Sequence, residues 1–245
     1  MHSMPINVLL ALMVIASFLV AIALHECGHA IMALWLGDHT PQAAGRLTLN
    51  LRTHLDPVGT LMCVLLAFQP YLAMGFGWGK PVKPDPWKMR VGADAGVLIV
   101  AWAGILFSLI VGAIASIVAA LVAPFLVGNV FAIRLLQLLI VFASVNFSLA
   151  LFNLLPFYPL DGYQIVYTLL PSRQAVQFAR SAPYGPFIIL ALFFLLPFLG
   201  QLTGLNNFFL FQLAYYIWLG SMYLISLVVA PFHLSFDIVA ALYSH

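Results

Sequence analysis

Residues His25-Glu26-Cys27-Gly28-His29 carry the spacing H-E-x-x-H. On a helix, positions i and i+4 share a face one turn apart, so the two imidazoles can each offer a nitrogen to the same zinc ion. Glu26 lies between them, where it can act as general base toward a water on that metal. A catalytic zinc of this kind takes a third protein ligand and leaves one position open. Among the remaining acidic and histidine residues, Asp161 stands out. It closes the stretch Asn153-Leu154-Leu155-Pro156-Phe157-Tyr158-Pro159-Leu160-Asp161-Gly162, in which two prolines unwind the chain after an apolar run and free a side chain to turn inward. His54 and Asp56 are rivals, in a charged stretch that reads as a surface loop. The same constellation admits two other readings: a membrane metal or proton transport site, and a polar cluster that only joins helices.

These residues must be held by elements of an unusual solvent. Only nine Lys/Arg and seven Asp/Glu occur in 245 residues, and 64% of the chain is hydrophobic. The mean hydropathy is +1.09. Ordinary globular chains are about 25% charged. So little polar surface excludes a soluble domain, a disordered chain and a coiled coil. A net charge of +2 leaves no electrostatic footprint for nucleic acid. The bilayer is the partner this composition requires. In that setting an acid inside an apolar helix is costly unless it functions, which weights Glu26 toward chemistry.

A spanning helix needs about 20 apolar residues. Residues 1–25, 57–79, 95–133, 135–160 and 181–236 contain no Asp, Glu, Lys or Arg. The last run is long enough for two crossings, with a break around Gly200-Gln201 and Gly204 to Asn207. Pro124 and Gly128-Asn129 separate the third run from the fourth. No Lys or Arg precedes Arg46, so the first run reads as a retained helix and not as a cleaved signal. Arg46 to Arg52 alternates leucine with polar residues, the pattern of a short half-buried strand with an edge on which an unwound substrate could lie. Pro81, Pro84 and Pro86 make 80–87 an extended loop. If the first helix ends in the cytosol and 57–79 dips in and returns, eight of the nine basic residues lie on the cytosolic side and only Arg134 outside, as the positive-inside rule favours. The same topology lets Asp161 descend to meet His25 and His29. The expected fold is therefore an all-α polytopic membrane protein of about five spanning helices, with a small membrane-embedded or re-entrant β element. Cys27 and Cys63 read as small packing residues, Trp78 and Trp87 as interfacial anchors, the phenylalanines of the tail as packing or lipid-facing groups, and His233 and His245 as solvated.

In combination, these motifs resemble the site-2 protease family of intramembrane zinc metalloproteases. His25 to His29 fits its H-E-x-x-H, and Asn153 to Gly162 its N-x-x-P-x-x-P-x-D-G element. Gly45 to Asn50, His54 to Thr60 and Phe76 to Val82 are similar to the compact subgroup without a PDZ insertion. The likeness covers about residues 6–172. It implies a core at 6–172 holding both metal motifs; with the uncharged run at 181–236, the chain reads as one domain over 1–245 with C-terminal transmembrane helices over 181–245. It implies His25, His29 and Asp161 as ligands of one zinc ion, Glu26 as catalytic base and Asn153 as a contact to the substrate backbone. The implied activity is endopeptidase cleavage in or near transmembrane segments of membrane-anchored proteins, in regulated intramembrane proteolysis. The implied setting is the plasma membrane of a prokaryote, with the site toward the cytosol. Two departures stand out. The family's A-G-P-x-x-N appears as Ala103-Gly104-Ile105-Leu106-Phe107-Ser108, and its D-G-G as Asp161-Gly162-Tyr163.

Overall fold

The computed structural model describes residues 7–69, 74–125, 130–205, 208–232 and 236–244. His233, His245, Gly128-Asn129, Asn207 and part of 57–79 lie outside them. Asn7 starts α1 (Val8–Trp35) by accepting from the Leu10 amide. Two single turns follow, α2 (Thr40–Ala43) and α3 (Leu51–His54), then α4 (Pro57–Ala67). Asp56 caps α4 by accepting from the Val58 and Gly59 amides, with Pro57 preset at the first helical position. The long helices α5 (Ala93–Val122) and α6 (Val130–Asn153) come next, followed by α7 (Asp161–Leu169). Then α8 (Ser172–Ala179), α9 (Gly185–Leu190), a π-helical stretch at Ala191–Leu195 and α10 (Leu196–Thr203) run on as one interrupted helix. The chain ends in α11 (Leu213–Val229) and α12 (Phe236–Ser244).

Five helical stretches among the described residues are long and apolar enough to cross a bilayer: Val8–Trp35, Ala93–Phe125, Val130–Asn153, Ser172–Thr203 and Phe209–Phe232. Their outward faces carry exposed Leu, Ile and Phe, such as Ile110, Ile114 and Phe198. The core lies where α1, α5, α6 and α11 meet, around Val14, Phe18, Ala119, Ile140 and Ile225. Small residues line these contacts and let the backbones approach closely. Ser144 of α6 and Ser221 of α11 share a buried hydrogen bond of 2.9 Å across it.

The described parts of 57–79, residues 57–69 and 74–79, run back alongside each other. At 11 residues, α4 is about 16 Å long, roughly half the hydrocarbon thickness. Residues Met74 to Gly79 return alongside it. The Met74 amide reaches Leu66 O at 3.4 Å, and the Lys80 amide donates to His54 O at 2.7 Å. The expected β element is not there. The described residues hold no strand, only one antiparallel bridge between Leu55 and Gly79. The strand expected at 46–52 is a loop running into α3. Asn50 turns its side chain onto the Arg52 amide and starts a helical turn. The Thr48 carbonyl accepts from Cys27 Sγ and from the His54 ring. Leu49 points outward at 67% exposure, so the alternating leucines build no buried face.

Candidate metal centre

α1 carries His25, Glu26 and His29 as buried residues in its C-terminal half. The helix that backs them is α5, through Val100, Gly104 and Ser108, three positions four residues apart on one stripe. His29 Nδ1 lies 2.7 Å from Val100 O. A carbonyl only accepts, so Nδ1 donates and Nε2 keeps its lone pair in the neutral ring. His25 Nδ1 lies 3.0 Å from Ser108 Oγ. Between them, a Cβ on Gly104 would sit 2.2 Å from His29 Nε2 and 2.9 Å from His25 Cε1. Glycine at that position lets α5 approach the two rings.

Asp161 is the first residue of α7. A Cβ on Gly162 would stand 2.4 Å from Leu154 O and 2.5 Å from Leu155 O, so glycine here lets the start of α7 close onto the end of α6. The fold-back brings Asp161 Oδ2 to 3.1 Å from His25 Nε2, and Oδ1 to 3.2 Å from His29 Nε2. The two Nε2 atoms are 3.1 Å apart. Among the described residues, these three side chains form the group able to hold a metal ion. In a tetrahedral zinc site with bonds of about 2.0–2.1 Å, neighbouring ligand atoms stand about 3.3 Å apart. The 3.1 Å between the two nitrogens is close to that edge, and with one Asp161 oxygen the three ligand atoms all lie within 4.8 Å of one another. Asp161 Oδ2 is also buried without a hydrogen-bond partner, a vacant acceptor facing the same point. The residues therefore fit a zinc ion.

Glu26 shares a cavity of 330 Å³ with these groups, lined also by Asn153, Lys83 and Gln164. Its Oε2 accepts from the Val82 amide at 3.1 Å. Asn153, the last residue of α6, lines the cavity but donates its amide nitrogen to Leu149 O in its own helix. The rivals are occupied elsewhere: His54 on Thr48 O and near Cys27 Sγ, Asp56 on the cap of α4. Trp78, expected at the interface, is buried at the cavity wall with Met62, Leu66 and Phe76, while Trp87 is 88% exposed. Both cysteines are free and buried. Ser108, Gly104, the Val100 carbonyl and the Val82 amide carried no sequence signal beyond the departure noted at Ser108.

Residues 120–196, which include Asn153 and Asp161, match Peptidase family M50. "Putative zinc metalloprotease YwhC" of Bacillus subtilis (strain 168) is 34% identical over 181 residues, 73% of this chain and 78% of that protein. The chain belongs to peptidase family M50, the site-2 proteases. As a member of M50 it is a metalloprotease with zinc as its cofactor. "Putative zinc metalloprotease Rip2" of Mycobacterium tuberculosis (strain ATCC 25618 / H37Rv) is 42% identical over 69 residues, 28% of this chain and 25% of that protein. No solved structure matches this M50 chain.

Proposed function

We propose that this M50 peptidase is an intramembrane endopeptidase. In this reading His25, His29 and Asp161 hold one zinc ion and Glu26 is the general base. It cuts membrane-anchored proteins in or near their transmembrane segments, in regulated intramembrane proteolysis. The observation that carries the reading is the depth of the cluster. His29 and His25 lie six and ten residues before the end of α1, which is about 9 and 15 Å along its axis. Those positions lie inside an apolar 28-residue helix that is long enough to cross a bilayer.

Zinc in this site supplies a positive charge that makes a water nucleophilic near neutral pH and polarises the scissile carbonyl. Glu26 takes the proton of the attacking water and delivers it to the leaving amine. The Val82 amide fixes one oxygen of Glu26 and leaves the carboxylate aimed into the cavity. The Ser108 and Val100 contacts hold the imidazoles in one orientation. Asn153 lines the cavity at the end of α6, where its side chain can meet the substrate backbone. The return of 74–79 alongside 57–69 supports a topology with Arg46, Lys80, Arg90 and Arg173 on one side, which the charge rule makes the cytosolic side of a prokaryotic plasma membrane.

The test uses proteoliposomes containing a fluorescence-quenched, Leu/Ala-rich single-span peptide with a central Gly-Ser break. Glu26→Gln is expected to keep its zinc and lose cleavage by about 10²–10⁴-fold. Undiminished cleavage by the variant removes Glu26 from the role. A wild type that cuts soluble casein but leaves the span peptide intact removes the intramembrane part of the reading.

A further inference from the structure

Among the described residues, the guanidinium of Arg46 meets backbone carbonyls and no carboxylate. Nη1 donates to Thr53 O at 2.5 Å and to Lys80 O at 3.2 Å, and Nη2 donates to Pro81 O at 3.2 Å. All three acceptors are backbone carbonyls, and they belong to two segments far apart in sequence. The Lys80 amide donates to His54 O, so the two segments are tied at that point as well. The residue after the clamped pair is Val82, whose amide donates to Glu26 Oε2. An unbroken route of hydrogen bonds therefore runs from Arg46, through the peptide units of Lys80 and Pro81, to the carboxylate on α1.

The segment needs such an external support. Pro81, Pro84 and Pro86 remove three backbone donors within six residues, so 80–86 can form neither a helix nor a ladder of its own. Downstream it is anchored by the Asp85 amide on Asp38 Oδ2 at 2.7 Å. Upstream, the fork of Arg46 fixes it. A planar fork with five donors in fixed directions can hold two carbonyls from different strands of chain at once, which a lysine ammonium does less specifically.

We propose that Arg46 is a positioning residue for peptide hydrolysis: it clamps Lys80 and Pro81 so that the Val82 amide orients the Glu26 carboxylate. The proposal rests on Glu26 as general base. It does not require Arg46 to touch substrate or metal, so its loss acts on turnover and not on binding. A misplacement of about 1 Å in a reacting group can lower a rate by about 10²-fold.

The experiment measures zinc content, kcat and KM on the single-span peptide in proteoliposomes for wild type, Arg46→Ala, Arg46→Lys, Val82→Pro, the Arg46→Ala/Val82→Pro double variant and the Glu26→Gln control. Val82→Pro deletes the donor to Glu26 and leaves Arg46 in place. The expected result is a fall in kcat of about 10²-fold for Arg46→Ala, with KM and zinc content within about 3-fold of wild type. Arg46→Lys recovers part of the loss. The double variant is no more than about 3-fold slower than the slower single variant, because both cut the same route. Multiplicative losses, a loss confined to KM, or unchanged kcat in Arg46→Ala each overturn the clamp. If Arg46→Ala does not accumulate as folded protein, a kcat of Arg46→Lys and Val82→Pro equal to wild type overturns it instead. An inactive wild type brings down the protease reading itself, whereas an active wild type with an inert Glu26→Gln and an unaffected Arg46→Ala brings down only the clamp.

Discussion

Substituting Gly104 by alanine adds one carbon at the point where α5 touches both imidazoles. The added Cβ would sit 2.2 Å from His29 Nε2, 2.3 Å from its Cε1 and 2.9 Å from His25 Cε1. An ordinary non-bonded contact is about 3.5 Å, so the shortfall at His29 is about 1.3 Å. Either the ring turns and gives up its bond to Val100 O, or α5 retreats from α1 by about that distance. Overpacking of this kind costs about 1–3 kcal/mol. Alanine is the better helix former by about 1 kcal/mol, so α5 itself does not weaken and global stability changes little. The metal geometry cannot absorb 1.3 Å. The expected outcome is zinc affinity lower by at least about 10–100-fold, by analogy with lost ligand-orienting contacts, and cleavage lower by a similar or larger factor. Zinc is measured by metal analysis and chelator competition on protein in detergent, with thermal unfolding alongside. Gly112→Ala is the matched control: on the same helix the nearest atoms to its Cβ would be those of the Phe147 ring, at 3.2 Å, and a ring can yield a few tenths of an ångström. A Gly104→Ala protein with full zinc and full activity would refute the argument that α5 is in contact with the metal-binding rings.

Ser108→Ala should leave His25 Nδ1 without its partner and weaken zinc binding by about 10–100-fold, read by chelator competition; unchanged affinity means the Ser108 contact does not orient the ring. Asp161→Ala should remove the third ligand and abolish stoichiometric zinc, seen directly by metal analysis. His54 gives a pH signature. Burial pushes its imidazole below the ordinary value near 6.5; the Thr48 carbonyl that its ring donates to works in the opposite direction, and the nearby Arg46 lowers it further. The unfolded chain therefore takes up the proton first as pH falls, and the contribution of neutral His54 is full above about 6.5 and lost below it. With zinc saturating, wild type should lose stability more steeply than His54→Gln as pH falls below about 6.5, and parallel curves would contradict this.

Much of the site was legible because its chemistry is written in rare residues. In a chain with seven acids and seven histidines, His25, Glu26 and His29 at helical spacing and Asp161 after two prolines could be found without a structure. The five long apolar helices were legible from the uncharged runs for the same reason. The strand at 46–52 was misread because alternation over seven residues says nothing about what covers them. The side chain of Asn50 and the carbonyl of Thr48 are used locally, and Leu49 faces outward. Trp78 was misread because aromatic residues near a charged loop are common at interfaces, and only the return of the chain along α4 buries this one. The support of the histidines was hidden on principle. Val100 contributes a backbone carbonyl, and any residue has one. Ser108 looked like a departure from the family's asparagine, yet it holds a hydrogen-bonding group against His25.

The two halves of the centre are built by different physics. His25 and His29 are fixed by the packing of two long helices whose contact stripe alternates a carbonyl, a missing side chain and a hydroxyl over eight residues. Both rings would keep their outer partners whether or not a metal were bound. Asp161 has no such support. One of its oxygens has no hydrogen-bond partner, and its position comes from a glycine-dependent turn between two short stretches of chain. A carboxylate facing imidazole nitrogens that keep their lone pairs is repelled by them, and a cation between them removes that repulsion. The α1–α5 pair thus presents the two imidazoles together, and α7 is held against α5 by apolar packing of Ile165 on Ala101 and Ile105. In the proposed enzyme a substrate backbone would meet Asn153 and Asp161 where the α6–α7 turn lines the cavity, beside the two imidazoles.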